Sequence, residues 1–209
     1  PATGHDSETT VTPATLSEDG AVVEKCRNCS EILSETAISR PATFKLSAAS
    51  YTYDGSVKKP SVKVSDGNGK TLEVGSDYTV KYPSGRKNVG KYTVKITFKG
   101  NYSGSKSLRF RINPKGTSIS GLTGAKKGMT VKWKKQSAQT TGYQVMYAVD
   151  SKFTSGKKTV TVSSSKTTSK KITKLKAKKK YYVRVRTYKT VSGTKYYSDW
   201  SKPKNVKTK

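Results

Sequence analysis

A two-residue apolar period, repeated between closely spaced turn signals, constrains this chain more than any other feature. In "DYTVKYP", Tyr78, Val80 and Tyr82 fall on one side. In "KYTVKITFKG", Tyr92, Val94, Ile96 and Phe98 do the same, and in "SLRFRI" Leu108, Phe110 and Ile112 alternate with Arg109 and Arg111. Side chains of a strand point alternately to opposite faces, so this period predicts half-buried β-strands. The stretches "YDGS", "SDGNGK", "PSGRKN", "KGNYSG" and "VSGT" punctuate the strands with turn residues. No segment sustains a helical apolar period over three turns. The expected fold is all-β.

Three pieces follow from composition and pattern. Residues 43–113 read as a small antiparallel β-sandwich. The Pro-containing connector "NPKG", residues 113–116, leads straight into residues 114–209. There Val131 and Trp133, then Tyr143, Val145, Tyr147 and Val149, and later Tyr181, Val183 and Val185 repeat the same period. About seven strands in this length fit a second sandwich. Residues 1–42 are too few for a large core of their own. Their stretches "GAVVEKC" and "SEILSETAI" predict two short strands joined by a knuckle, a small β-hairpin layer before the sandwiches. The chain begins at Pro1 without an initiator Met, so a piece or a processed form of a longer protein is expected. No run approaches the roughly 18 apolar residues that a membrane-crossing helix needs, and a monomer is expected.

Charge is unevenly spread. The formal net charge is +29, from 42 basic and 13 acidic side chains. Residues 1–42 carry three basic and seven acidic groups, and residues 43–113 carry fourteen and four. Residues 114–209 carry twenty-five basic groups against only Asp150 and Asp199. Such a field attracts polyanions. Only seven of the basic residues are arginines against thirty-five lysines, and a lysine cannot read a base edge or planar anion with a bidentate fork. Diffuse, salt-sensitive attraction is expected, with no specific nucleic acid as partner. The polyanion-binding candidates are Lys174, Lys176, Lys178, Lys179 and Lys180 of "KLKAKKK", with Arg184 and Arg186. Tyr182, Tyr196 and Trp200 form a second candidate, a stacking platform for glycans.

Catalytic constellations are missing from the sequence. One imidazole, His5, gives no His-based triad near the sandwiches. "GNGKT" superficially matches a phosphate loop, yet the glycine required five positions before Gly69 is Val64. Asp150 and Asp199 lie far apart on different predicted strands, which gives no glycosidase-like pair. The expectation is a protein that is not an enzyme.

Cys26 and Cys29, in "EKCRNCSEIL", are the only cysteines. The pair admits structural zinc, a local disulfide or free thiols. A redox pair of the thioredoxin kind lies at a helix start, which this neighbourhood does not offer. Structural zinc takes four ligands, and His5, Cys26 and Cys29 make three. The fourth ligand is not specified.

Several motifs carry family resemblances. Trp133, Leu175 six residues before Tyr181, the "Y-x-V-x-V" run and the closing "YYSDWSKP" resemble a fibronectin type III domain over residues 114–209. The resemblance implies that Trp133, Leu175 and Tyr181 are fold residues, with the Tyr181 hydroxyl bonded to the backbone near Leu175. It also implies that Trp200 stacks on Arg184 or Arg186. "YTYDG", "KPSVKV", "DYTVKY", "NVGKYTV" and "KGNYSGS" resemble the immunoglobulin-like YDG repeats of surface proteins in Gram-positive, Clostridia-type gut bacteria. "PATGH", "VTPAT" and the Cys-x-x-Cys pair resemble a short cysteine-containing repeat found beside them. Relatives of that repeat often carry another Cys at the positions of Thr3 or Leu16, and a Gly at that of Ser30. A fourth zinc ligand would then be Asp6, another carboxylate, water or a residue beyond this chain.

The resemblances imply an extracellular or surface location. They fit adhesion and spacer modules with cell-wall polymer, host glycan or a host protein such as immunoglobulin as partner. A nucleic-acid-binding protein using the lysine-rich surface is the alternative.

Overall fold

The computed structural model describes residues 4–209 and is all-β, with no helix among the described residues. Its first five strands are β1 (Ser7–Thr12), β2 (Gly20–Cys26), β3 (Ile32–Ile38), β4 (Pro41–Leu46) and β5 (Ser50–Thr52). Then come β6 (Val62–Asp66), β7 (Thr71–Leu72), β8 (Tyr78–Lys81), β9 (Gly90–Phe98) and β10 (Ser105–Asn113). The remainder forms β11 (Ile119–Ala125), β12 (Gly128–Trp133), β13 (Gly142–Ala148) and β14 (Lys158–Val162). It ends with β15 (Ser169–Ile172), β16 (Lys180–Val191), β17 (Thr194–Tyr197) and β18 (Lys204–Lys207).

The chain divides into two compact units. The first comprises the N-terminal segment through Ala49, Lys59–Ser84 and Lys91–Phe110. It contains an antiparallel sheet β1-β2-β3, a sheet β4-β6-β7 and the β8–β9 pair. The predicted hairpin layer therefore gains a third strand, β1, whose Ser7 pairs with Cys26. This layer shares its core with the following sandwich. Ala14 and Ile38, with Val22 at their edge, pack in one cluster with Val64, Leu72, Tyr78, Ile96, Phe98 and Tyr102. Ala14 donates its N–H to Asn101 and accepts from the Ser103 N–H, at 3.0 and 2.9 Å. Forty residues with few large apolar side chains cannot exclude water alone, so they bury what they have against the neighbouring sheet. Gly20 allows the close return of the chain here, since a Cβ on it would lie 2.2 Å from the Thr12 carbonyl oxygen.

The second unit comprises Ser50–Lys58, Gly85–Gly90 and Arg111–Lys209. Its two main sheets are β11-β12-β15 and β14-β13-β16-β17, with β18 also paired to β16. β5 pairs in parallel with the Arg111–Asn113 end of β10. Alternate residues of the two main sheets supply one core, which includes Met129, Val131, Trp133, Tyr143, Val145, Val183 and Val185. The Trp133 and Tyr143 rings lie 5.2 Å apart. The Tyr143 hydroxyl accepts from the Gln136 N–H at 2.8 Å and sits 3.1 Å from the Ser165 carbonyl oxygen. Leu175 and Tyr181 are buried, and the Tyr181 hydroxyl accepts the Lys176 N–H at 3.2 Å. That bond ties the loop after β15 to the start of β16. Trp133, Leu175 and Tyr181 thus occupy structural positions.

Candidate functional site

The Cys-x-x-Cys segment forms a tight knuckle between β2 and β3. Cys26 closes it in both directions: its N–H donates to the Glu31 carbonyl at 2.8 Å, and its carbonyl accepts from Ser30 at 2.9 Å. Ser30 has φ of 60°, the left-handed conformation that glycine adopts most readily. A serine therefore takes the turn that a glycine would make with less strain. On the neighbouring strand, the Asp6 carbonyl accepts from the Arg27 N–H at 2.8 Å. That bond continues the β1–β2 ladder to the knuckle and brings His5 beside the cysteines.

His5, Cys26 and Cys29 form the one group of metal-ligating side chains among the described residues whose donor atoms all lie within 4.8 Å of one another. Cys26 is buried, while His5 and Cys29 are exposed. The Cys29 Sγ lies 3.7 Å from His5 Nδ1. The other ring nitrogen, Nε2, lies 3.7 Å from Glu31 Oε2. The backbone N–H of Cys29, followed by the His5 ring, lowers the Cys26 thiol to about 6. The backbone N–H of Glu31 draws the Cys29 thiol down, but the adjacent Cys26 sulfur and burial outweigh it and leave that thiol raised. His5 is raised chiefly by its hydrogen bond to Cys26. Neither Asp6 nor Leu16 belongs to the group. Thr3 lies outside the described residues.

A basic face lies on the sheet built around β16. Tyr182, Arg184, Arg186 and Tyr188 alternate with the inward Tyr181, Val183, Val185 and Thr187. The guanidinium of Arg184 lies over the rings of Phe153 and Trp200, at 4.2 and 4.8 Å from their centroids. Arg186 lies over Tyr197 and Trp200 at 3.9 and 4.2 Å. Trp200 therefore stacks with both arginines. Gln144 Oε1 accepts from Arg186 Nε and Nη2 at 3.0 and 2.7 Å. Burial pushes both guanidinium groups below their ordinary value. Each such contact is worth roughly 0.5–2 kcal/mol, rising as water is excluded.

Other sequence-predicted groupings come apart on this sheet. Lys174, Lys176, Lys178, Lys179 and Lys180 are exposed, whereas Arg184 and Arg186 are half-buried in the ring stack. The expected cluster of seven cations is thus five exposed lysines and two arginines held in the ring stack. Tyr182, Tyr196 and Trp200 do not form one platform. Tyr188 opposes Tyr197, their rings 6.2 Å apart, while Tyr196 opposes Lys189. Directly paired residues share a face, so Tyr196 points away from the Trp200 side. Tyr182 is covered in turn by the Lys180 ammonium at 5.3 Å.

Phe153 escaped the sequence reading. Its signal was local: Asp150 accepts N–H bonds from Lys152, Thr154 and Ser155 at 3.0 to 3.1 Å. That aspartate-capped loop, with Phe153 at φ of 58°, delivers the ring over Arg184. A cleft of about 500 Å³ is lined by Thr52, Tyr53, Asp54, Lys115, Gln136 and Ala138. It offers one carboxylate and no imidazole or thiol.

Residues 112–205 match the family model of the fibronectin type III domain, and residues 40–108 that of the MBG domain. Domains of these two types are generally non-catalytic modules of extracellular or surface proteins. Among solved structures, a two-fibronectin-type-III-domain segment of chicken tenascin is 21% identical, with a TM-score of 0.44. The match covers 80% of this chain and 99% of that one. The FN1–FN3 domains of chicken CNTN1 are 14% identical over 91% of this chain and 77% of that chain, with a TM-score of 0.41. A myokine structure is 18% identical over 46% of this chain and 97% of that chain, with a TM-score of 0.37. No protein of curated function matches the chain. The chain is an all-β module array that contains an MBG domain, an immunoglobulin-type repeat, followed by a fibronectin type III domain.

Proposed function

We propose that this chain is a non-catalytic attachment and spacer region of a surface or secreted protein. Its lysines draw it to anionic polymer, such as cell-wall phosphate polymer or acidic mucin glycan. The observation that carries this reading is the unbalanced charge of residues 114–209. Twenty-five basic side chains face two carboxylates, and one of these, Asp150, is committed to capping its own loop. No ion pair occurs among the described residues of that segment.

Unpaired lysines at this density displace the counterions condensed on an anionic polymer, and the attraction weakens as salt rises. The full chain is expected to be retained on an anionic polymer matrix below ~100 mM salt and released above ~300 mM, as the Debye length shortens. Retention that persists in high salt would point to a shaped ligand site in place of this reading. Absence of retention at low salt would remove it.

The placement of cations supports this reading over nucleic-acid binding. Exposed lysines lie on both main sheets of the second unit, for example Lys132, Lys170 and Lys171 on one and Lys158 and Lys195 on the other. A nucleic-acid surface gathers Arg and Lys on one face with free planar rings. Here Trp200, Tyr197 and Phe153 already have arginines on their faces. A host protein such as immunoglobulin is the second partner class of this proposal, and a binding screen distinguishes it by resistance to salt.

A further inference from the structure

We propose that His5, Cys26 and Cys29 form a zinc(II) centre with three protein ligands. In it Glu31 orients the His5 ring, and the fourth coordination position is held by an exchangeable water. A tetrahedral zinc ion with Zn–S near 2.3 Å and Zn–N near 2.0 Å places its sulfurs about 3.8 Å apart and each sulfur about 3.5 Å from nitrogen. The donor atoms here, within 4.8 Å of one another and with Cys29 Sγ at 3.7 Å from His5 Nδ1, need to close by about an ångström or less.

The two ring nitrogens of His5 have separate surroundings. Nδ1 faces the Cys29 sulfur, and Nε2 faces the Glu31 carboxylate at 3.7 Å. A carboxylate on the far nitrogen fixes the tautomer that leaves the near one free to bind metal. Glu31 Oε2 is also 4.0 Å from Cys29 Sγ, so its carboxylate already leans over the site. The backbone hydrogen bonds of Cys26 and Ser30 close the turn that carries both thiols.

Two thiolates and one imidazole select a borderline-soft ion that accepts tetrahedral geometry, which is the chemistry of zinc. Sites closed by four protein ligands are structural, and sites with three keep a position that outside ligands can take. Among the described residues no fourth His, Cys, Asp or Glu joins the group. Glu31 is therefore a positioning residue rather than a ligand.

Reduced, chelator-treated full-length chain is titrated with zinc, and separately with cobalt(II), whose visible spectrum reports the coordination shell. The expected result is one metal ion per chain and a tetrahedral cobalt spectrum with sulfur-to-metal charge transfer. Added imidazole should shift that spectrum by replacing water. Glu31→Gln is expected to weaken zinc binding by about 10–100-fold, and Glu31→Asp to restore part of it. Circular dichroism checks that both exposed-site variants keep the fold. No metal uptake by the reduced chain would overturn the proposal. So would a cobalt spectrum indifferent to imidazole, or an unchanged affinity in Glu31→Gln. A Cys26–Cys29 disulfide that persists in chain purified with zinc present would also overturn it.

Discussion

Replacing Gly142 with alanine is expected to destabilise the second unit by about 3 kcal/mol or more, since overpacking alone costs 1–3 and a broken buried hydrogen bond adds to it. Gly142 opens β13, and a Cβ there would sit 2.1 Å from the Val162 carbonyl oxygen. It would also come within 3.0 Å of the Tyr188 ring. The obstructing atom is backbone, and it belongs to a strand whose Val162 is already paired with Tyr143. β14 can retreat only by giving up that pairing, and Tyr188 only by leaving its partners Tyr197 and Lys195. Denaturant unfolding followed through tryptophan fluorescence measures the effect, because both tryptophans lie in this unit. A midpoint equal to that of the parent chain would show that β13 and β14 are not packed as described.

Trp133→Ala carries an effect of similar size. The residue is 2% exposed at the centre of the core, against Tyr143 and beneath the valines of β13 and β16. Removal of a buried aromatic side chain costs about 3–5 kcal/mol, part from lost transfer energy and part from the cavity. Trp133→Phe separates packing from polarity. The indole Nε1 is buried and makes no hydrogen bond to the described residues. Phenylalanine therefore removes an unsatisfied donor while keeping one ring, and is expected to cost only about 1 kcal/mol, the lower end for a single core truncation. A phenylalanine variant as unstable as the alanine one would mean that the indole N–H has a partner such as a buried water.

Much of this architecture was legible in the sequence because a two-residue period is a local signal. The alternation of Tyr143, Val145 and Tyr147, or of Ile96 and Phe98, appears unchanged as buried positions on single strands. The bond of the Tyr181 hydroxyl to the Lys176 N–H was an implication of the fibronectin type III resemblance and not of the two-residue period. Long-range packing was not legible. Nothing in residues 1–42 announces that Ala14 and Ile38 complete a core with Tyr78 and Phe98. The parallel pairing of Ser50–Thr52 with Arg111–Asn113 joins segments some sixty residues apart and has no turn to advertise it.

Side-chain direction across strand pairs was similarly hidden. A "YY" dipeptide always splits between two faces, but only register tells which tyrosine joins Trp200. Tyr197 does so, and Tyr196 faces the other way. At the knuckle, the Cys-x-x-Cys spacing and the single His were visible, whereas the different neighbours of Nδ1 and Nε2 emerged only in three dimensions. Ser30 in place of glycine did not prevent the turn, because a left-handed φ strains a serine without forbidding it.

The arginine ladder qualifies what the charge can do. Arg184 and Arg186 are counted among the polyanion candidates in the sequence, yet each is held between aromatic rings and desolvated. In the proposed attraction to polymer, the exposed lysines are therefore the cations left to act. The most direct test is to replace Lys174, Lys176, Lys178, Lys179 and Lys180 with glutamine in the full chain and measure polymer affinity across a salt series. These side chains are exposed, and the loop fold rests on Leu175 and Tyr181, so folding should be preserved. The logarithm of affinity should fall less steeply with the logarithm of salt, the slope flattening by roughly 2–3.5 if each lost lysine accounts for up to ~0.7. An affinity and slope identical to those of the parent chain would contradict the proposal that this lysine loop attracts the polymer.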